Sequence, residues 1–241
     1  MTDTKESKQE RDARKEAARA TRQMGWAVFL VTGAILLVFA GVWLTNRPEN
    51  TEDIGDVATI SATDHTKGAT TTPKAVLIEY SDFQCPACAA YEPLVNELAS
   101  TYGPQGLTVV YRHYPLPQHN KALLMAKASE AASGQGKFWE MHDLIFAEQA
   151  DWSKISVAEV EKTITAYAKK LDLDLTKFNT ALNSKVVANK IQADVASAKT
   201  AKVVGTPTFF LNGQEVVART SEDFARLIEQ SLATTTANAK L

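Results

Sequence analysis

Cysteine is nearly absent: the 241 residues contain two. A chain this long with two cysteines cannot carry the disulfide framework that small secreted domains use in place of a core. An excess of either charge is also missing, since 26 Lys and Arg stand against 28 Asp and Glu for a net charge of -2. There is no electrostatic footprint for nucleic acid, and nucleic acid is excluded as a partner. Histidine is scarce, and His65, His113, His119 and His142 are too scattered for the close ligand spacing of a zinc site. They read as structural or solvated, with no metal assigned. What remains is ordinary for a globular protein, 45% apolar and 22% charged, and the length fits one large domain or two small ones.

The two cysteines that are present lie together in Glu79-Tyr80-Ser81-Asp82-Phe83-Gln84-Cys85-Pro86-Ala87-Cys88. An apolar run, Ala75-Val76-Leu77-Ile78, reads as a buried strand just before them. Small and apolar positions at helical spacing, Ala89, Tyr91, Leu94, Val95 and Leu98, follow them up to Ser100. Pro86 suits the first helical turn, where its missing N–H costs nothing. A helix start carries unpaired N–H groups and about half a positive charge, which stabilises a thiolate. A Cys-x-x-Cys pair there is a candidate dithiol/disulfide centre.

The ends of the chain differ from its middle. Residues 1–24 hold seven basic and five acidic side chains and read as a solvated tail. Gly25 to Leu44 is a run of 20 residues without a charge, enough to span a hydrocarbon core of about 30 Å. Trp26 and Trp43 mark its two ends. Arg11, Arg14, Lys15, Arg19 and Arg22 precede it and only Arg47 closely follows, so a cytoplasmic N-terminus and an extracytoplasmic remainder are expected. No small-x-small cleavage site follows the run, which favours a retained signal-anchor over a cleaved signal peptide. Residues 45–73, with eight threonines, two prolines and scattered acids, read as a mobile linker.

Beyond the motif helix, Leu107 to His113 reads as a second strand, parallel to the first because a helix connects them. Residues 119–201 read as an uninterrupted set of helices. Thr208-Phe209-Phe210-Leu211 and Glu215-Val216-Val217 flank Asn212-Gly213, a strong two-residue hairpin turn. Thr220 or Ser221 caps a last helix whose apolar stripe is Phe224, Leu227, Ile228 and Leu232, and residues 234–241 read as a polar tail.

The order strand, Cys-x-x-Cys helix, strand, hairpin, helix resembles the thioredoxin fold, and the helical insert before the hairpin resembles the DsbA family within it. The resemblance rests on Cys85-Pro86-Ala87-Cys88, on Gly205-Thr206-Pro207-Thr208 and, in the insert, on Phe138-Trp139-Glu140-Met141-His142. It implies an α/β fold with a central mixed sheet flanked by helices, over residues 74–233; the single transmembrane helix read from the uncharged run precedes it. It implies a cis peptide before Pro207, facing the cysteines and leaving the Thr206 backbone open to an extended substrate chain. Thr206, Pro207 and Phe83 are placed as substrate contacts. By the same resemblance Glu79 lies beneath the active site, where a buried carboxyl takes the proton of the second cysteine; a solvated strand-end glutamate is the alternative. Asp82 suits either that role or an exposed loop position. DsbA oxidases commonly carry a histidine where this chain has Ala87, so its first cysteine is expected to be less acidic and its disulfide less oxidising.

The expected activity is a protein disulfide oxidoreductase outside the cytoplasm, with no bound cofactor. Cys85 is the nucleophile and Cys88 resolves the mixed disulfide. Its partners are exported proteins with cysteine pairs and a separate, quinone-linked membrane protein that restores the disulfide. A reductase or isomerase fed by a membrane electron donor uses the same residues. Two readings of other classes stay open: a thioredoxin-like copper or zinc module holding metal through Cys85, Cys88 and a histidine, and a non-catalytic chaperone-like domain.

Overall fold

A computed structural model describes residues 57–238, apart from 70 and 219. The expected tail at 1–24, the membrane anchor at 25–44 and the first part of the linker lie outside the described residues. Among the described residues no helix is long and apolar enough to cross a membrane.

Five strands form one mixed sheet: β1 (His65–Gly68), β2 (Ala75–Ser81), β3 (Leu107–His113), β4 (Thr208–Leu211) and β5 (Gln214–Val216), in the order β1-β3-β2-β4-β5. β2 and β3 run parallel, and the other three pairs are antiparallel. Helix α1 (Pro86–Tyr102) connects β2 to β3. The insert comprises α2 (Ala122–Ser133), α3 (Phe138–Ala147), the short α4 (Gln149–Trp152), α5 (Val157–Lys170), α6 (Leu175–Leu182) and α7 (Lys185–Thr200), and α8 (Ser221–Asn238) closes the fold.

The period-two alternation of β2 explains how the layers assemble. Leu77 joins Val109 and Phe209 in a core with Val95 and Leu98 of α1 and Phe224 and Ile228 of α8. Ile78 and Tyr80 point to the opposite face and pack with Val110, Phe210 and Ala198 of α7. A third core, the largest, fills the insert and extends to Phe83, Cys85 and Cys88. The hairpin turns at Asn212 (φ 48°) and Gly213 (φ 84°), the double left-handed geometry that matches the twist of paired strands.

Two expected boundaries move. The folded region begins before residue 74, because β1 lies inside the stretch read as linker and pairs with β3, His65 opposite Tyr111. The Asp64 carboxylate is buried against Arg112, with 3.1 Å from Nε to Oδ1 and 2.7 Å from Nη2 to Oδ2. Four edge residues carry no apolar alternation, so the signal for β1 lies in its partner strand. At the other end α8 runs on through the expected tail to Asn238, and the Thr235 hydroxyl donates to the Lys74 carbonyl (2.9 Å). The Ala- and Thr-rich composition there is not a helix breaker.

Candidate active site

The strand-to-helix turn of the motif builds the site. Cys85 is the N-cap of α1, with extended backbone (φ -74°, ψ 121°), no side-chain cap and Pro86 in the first turn. The free N–H groups of that turn are therefore available to the Cys85 sulfur. Asp82 organises the approach: its carboxylate accepts from Gln84 N, Leu116 N and His119 Nδ1, each at 2.7 Å, and its carbonyl accepts from Cys85 N at 3.0 Å. Asp82 is 1% exposed, which corrects the exposed-loop alternative. A carboxylate accepting three hydrogen bonds is satisfied away from water.

Both cysteines are free thiols. Cys88 is fully buried, and Cys85, expected to be the accessible one, is itself only 7% exposed. The loop before β4 covers it: the Thr206–Pro207 peptide is cis, and the Cys85 thiol donates to the Thr206 carbonyl at 3.3 Å. The environments of the two sulfurs are opposed. Hydrogen bonding from the Cys88 thiol, opposed by burial and helped by the Thr206 side chain and the N–H groups of Cys88 and Ala87, brings the Cys85 pKa down to about 5. Burial pushes the Cys88 thiol far up, and Cys85 and the charge of Glu79 push it further.

Beneath Cys88 lies a buried polar layer. Period two places Glu79 and Ser81 on the α1 face of β2 with Leu77. Glu79 stands between Tyr111 of β3 and Phe209 of β4 in register. It is 2% exposed, and burial raises its pKa to about 7 against small opposing contributions from Ser81 and Lys67. The solvated alternative for Glu79 is thereby corrected. Glu92, one turn after Cys88 on the same face of α1, is raised by burial and by Glu79 to about 8. The hydroxyls of Ser81 and Tyr111 are buried in the same layer.

Glu92, His142 and Asp143 bring three ligand-type atoms within 4.8 Å of one another. The Lys67 ammonium supplies the cation there, 3.7 Å from Glu92 and 3.1 Å from Asp143, and it also lies over the Trp139 ring at 4.2 Å. Burial lowers the His142 pKa to about 4, so its ring is neutral near pH 7. His65 and His113 both pair with Glu130 Oε1, at 2.8 and 2.9 Å; they tie β1 and β3 to the insert, and His65 is in a strand instead of a linker.

Of the expected site residues, Cys85, Cys88, Thr206, Pro207 and Glu79 come together. Phe83, expected as a substrate contact, lies in the core of the insert. It is 1% exposed and packs on Phe146, Tyr111 and His142 with ring centroids 4.8 to 5.5 Å apart. An aromatic just before the helix start has the core of the insert directly behind it, and burial there outweighs exposure at the rim. Sequence reasoning missed Glu92, Lys67 and Gln149. The first had a signal in its four-residue spacing from Cys88, which stacks the two side chains on one face of α1. Lys67 and Gln149 had none, because each reaches the site across the fold.

A family model described as thioredoxin matches residues 61–230. The chain is 43% identical over 152 residues to a protein of Salinispora tropica named Na(+)/H(+) antiporter NhaA 3, a match that covers 63% of this chain and 22% of that protein. The chain thus spans about a fifth of the length of such curated relatives. Among solved structures, alpha-DsbA1 of Wolbachia pipientis superposes with a TM-score of 0.66 at 19% identity, over 75% of this chain and 96% of that one. BdbD of Bacillus subtilis gives a TM-score of 0.62 at 19% identity, over 70% and 93%. These likenesses are of fold.

Proposed function

The chain belongs to the thioredoxin family, and from that premise we propose that it is a protein thiol–disulfide oxidoreductase that oxidises cysteine pairs in exported proteins. The observation that carries the reading is the opposed state of the two sulfurs. Cys85 is at an uncapped helix start beneath the Thr206 carbonyl with its pKa near 5, and Cys88 is buried with its pKa far up, next to a carboxyl that titrates near 7.

In the oxidising direction a substrate thiolate attacks Cys85 Sγ of the Cys85–Cys88 disulfide. A bond forms between the substrate sulfur and Cys85, and Cys88 leaves as a thiolate. Burial makes that thiolate strongly basic, and Glu79, half protonated at its raised pKa of about 7, supplies the proton. A second substrate thiol then attacks the substrate sulfur of the mixed disulfide, and Cys85 departs as the stabilised thiolate. Two electrons have passed from the substrate pair to Cys85 and Cys88. Thr206 and Pro207 form the wall along which the substrate chain lies, and the chemistry uses no bound cofactor. A quinone-linked membrane protein removes the electrons. The uncharged segment 25–44 anchors the catalytic domain outside the cytoplasm, with its N-terminus inside. The ion transport named for the longer relatives contributes nothing to this reading.

One observation favours a reductase or isomerase on the same residues. Ala87 stands where a thiolate-stabilising histidine is common, and a Cys85 pKa of about 5 lies between the values of about 3.5 and about 7 typical of strong oxidants and of thioredoxin. The equilibrium reduction potential of the full chain in glutathione buffers separates the two. A value near -120 mV supports the oxidase, and one near -270 mV overturns it in favour of the reductase. Cys88→Ala in the native host is expected to accumulate mixed disulfides through Cys85. No trapped species under oxidising conditions would sink the exchange mechanism as a whole, and activity surviving replacement of both cysteines would favour the chaperone-like reading.

A further inference from the structure

The turn that presents Cys85 is held by a residue of the insert, distant in sequence. Its helix start has no side-chain cap, and Asp82 secures only the N–H groups of Gln84 and Cys85. The carbonyls of the same turn face the insert, where one buried side chain meets them. The amide nitrogen of Gln149 donates one hydrogen to the Phe83 carbonyl at 2.7 Å and the other to the Cys85 carbonyl at 2.9 Å. Gln149 is 8% exposed and opens α4. Its own position is fixed by the fully buried Trp152, whose indole N–H donates to Ile145 O at 2.7 Å, and by Glu148 N donating to Leu144 O at 3.1 Å. The same part of the insert holds the turn a second time: Gln84 Oε1 accepts from Lys121 N at 2.7 Å, and Lys121 Nζ donates to Ser153 O at 2.7 Å.

We propose that Gln149 is a positioning residue for the redox reaction: it clamps the Phe83 and Cys85 carbonyls so that the first-turn N–H groups stay aimed at the Cys85 sulfur. The inference rests on the assignment of Cys85 and Cys88 as the exchanging pair. Its sign follows from chain constraint. In the disulfide form the Cys85–Cys88 bond itself restrains the turn, so the clamp adds little. In the dithiol form that bond is gone, and the turn keeps its shape through Asp82, the Gln84–Lys121 bond, the Ala89 N–H on the Cys85 carbonyl and the Gln149 amide. The clamp therefore stabilises the dithiol more than the disulfide and makes the centre a stronger oxidant. Thiolate stabilisation by the Ala87 and Cys88 N–H groups depends on the same geometry.

The test uses the full chain carrying Gln149→Met, which removes both donors and keeps the length of the side chain, and Gln149→Glu, which presents acceptors to two carbonyls. Each is equilibrated with glutathione, and Cys85 is titrated by its thiolate absorbance. For Gln149→Met, the equilibrium constant for oxidising glutathione is expected to fall about tenfold, equal to about 30 mV. The Cys85 midpoint rises with it, and Gln149→Glu falls further. A folded variant of either kind with the wild-type equilibrium constant and midpoint overturns the proposal. If neither variant folds, Gln149 serves stability alone and the positioning role is likewise overturned. Failure of the wild-type chain to exchange with glutathione at all is a different result, because it removes the exchange reaction itself.

Discussion

Replacing Glu79 by Gln separates the energetic cost of the buried carboxyl from its chemical use. Burial raises its pKa from 4.5 to about 7 in the folded protein, so the folded state holds the proton more tightly than the unfolded chain does. Below pH 4.5 both states are protonated and the group is neutral in its effect. Between pH 4.5 and 7 the unfolded chain ionises this carboxyl while the folded protein still holds the proton, and stability is lost progressively over that window, fully by the time the pH has passed the folded pKa. At about 1.4 kcal/mol per pKa unit the loss amounts to about 3 kcal/mol above pH 7. Glu92 adds in the same sense, since Glu79 helps to raise it to about 8. Glu79→Gln keeps the shape and removes the charge. Followed by circular dichroism with the cysteines oxidised, so that no thiol titrates, it is expected to melt with the wild type at pH 4. At pH 9 it should melt roughly 6–12 °C higher, given about 2–4 °C per kcal/mol for a domain of this size. In stopped-flow exchange the same variant should release Cys88 more slowly near neutral pH, because the proton donor is gone. Melting curves that stay together from pH 4 to 9 would refute the buried, protonated Glu79 and the proton transfer built on it.

Alkylation by iodoacetamide, read by mass spectrometry, should modify Cys85 with a midpoint near pH 5 and leave Cys88 untouched in the folded protein; equal labelling of both would contradict the opposed environments. Phe83→Ala is expected to cost about 3–5 kcal/mol of stability, the usual loss for emptying a buried aromatic position. Weakened substrate binding at unchanged stability would restore Phe83 as a contact residue. Asp64→Asn leaves the buried Arg112 guanidinium without its carboxylate and should cost about 3–5 kcal/mol in urea denaturation. An unchanged midpoint would put residues before 65 outside the folded domain after all.

Local pattern carried part of the site. Cys85-Pro86-Ala87-Cys88 announced a dithiol at a helix start, because its backbone geometry depends on its own residues, whereas Gly205-Thr206-Pro207 pointed to the facing wall only through the family resemblance, since a proline before a strand is by itself equally a trans proline on an edge. The hairpin at Asn212-Gly213 was legible from its own residues. Strand β1 was not, since its four edge residues, three half-buried and one exposed, owe their conformation to β3. The burial of Phe83 was not legible either, because adjacency to a reactive cysteine says nothing about which side of the turn the insert covers.

What the sequence determined alone, then, is the chemistry of the pair: two thiols one helical turn apart, the first at the positive end of a helix. Their difference in acidity was decided by the tertiary structure. Cys85 owes its low pKa in part to the side chain of Thr206, far away in the chain, and Cys88 is raised through burial. Glu79 is raised only because β3, β4 and α1 exclude water from it. The physical reason is that nucleophile spacing is a property of neighbouring residues, whereas desolvation and hydrogen bonding across the fold exist only after the layers have packed.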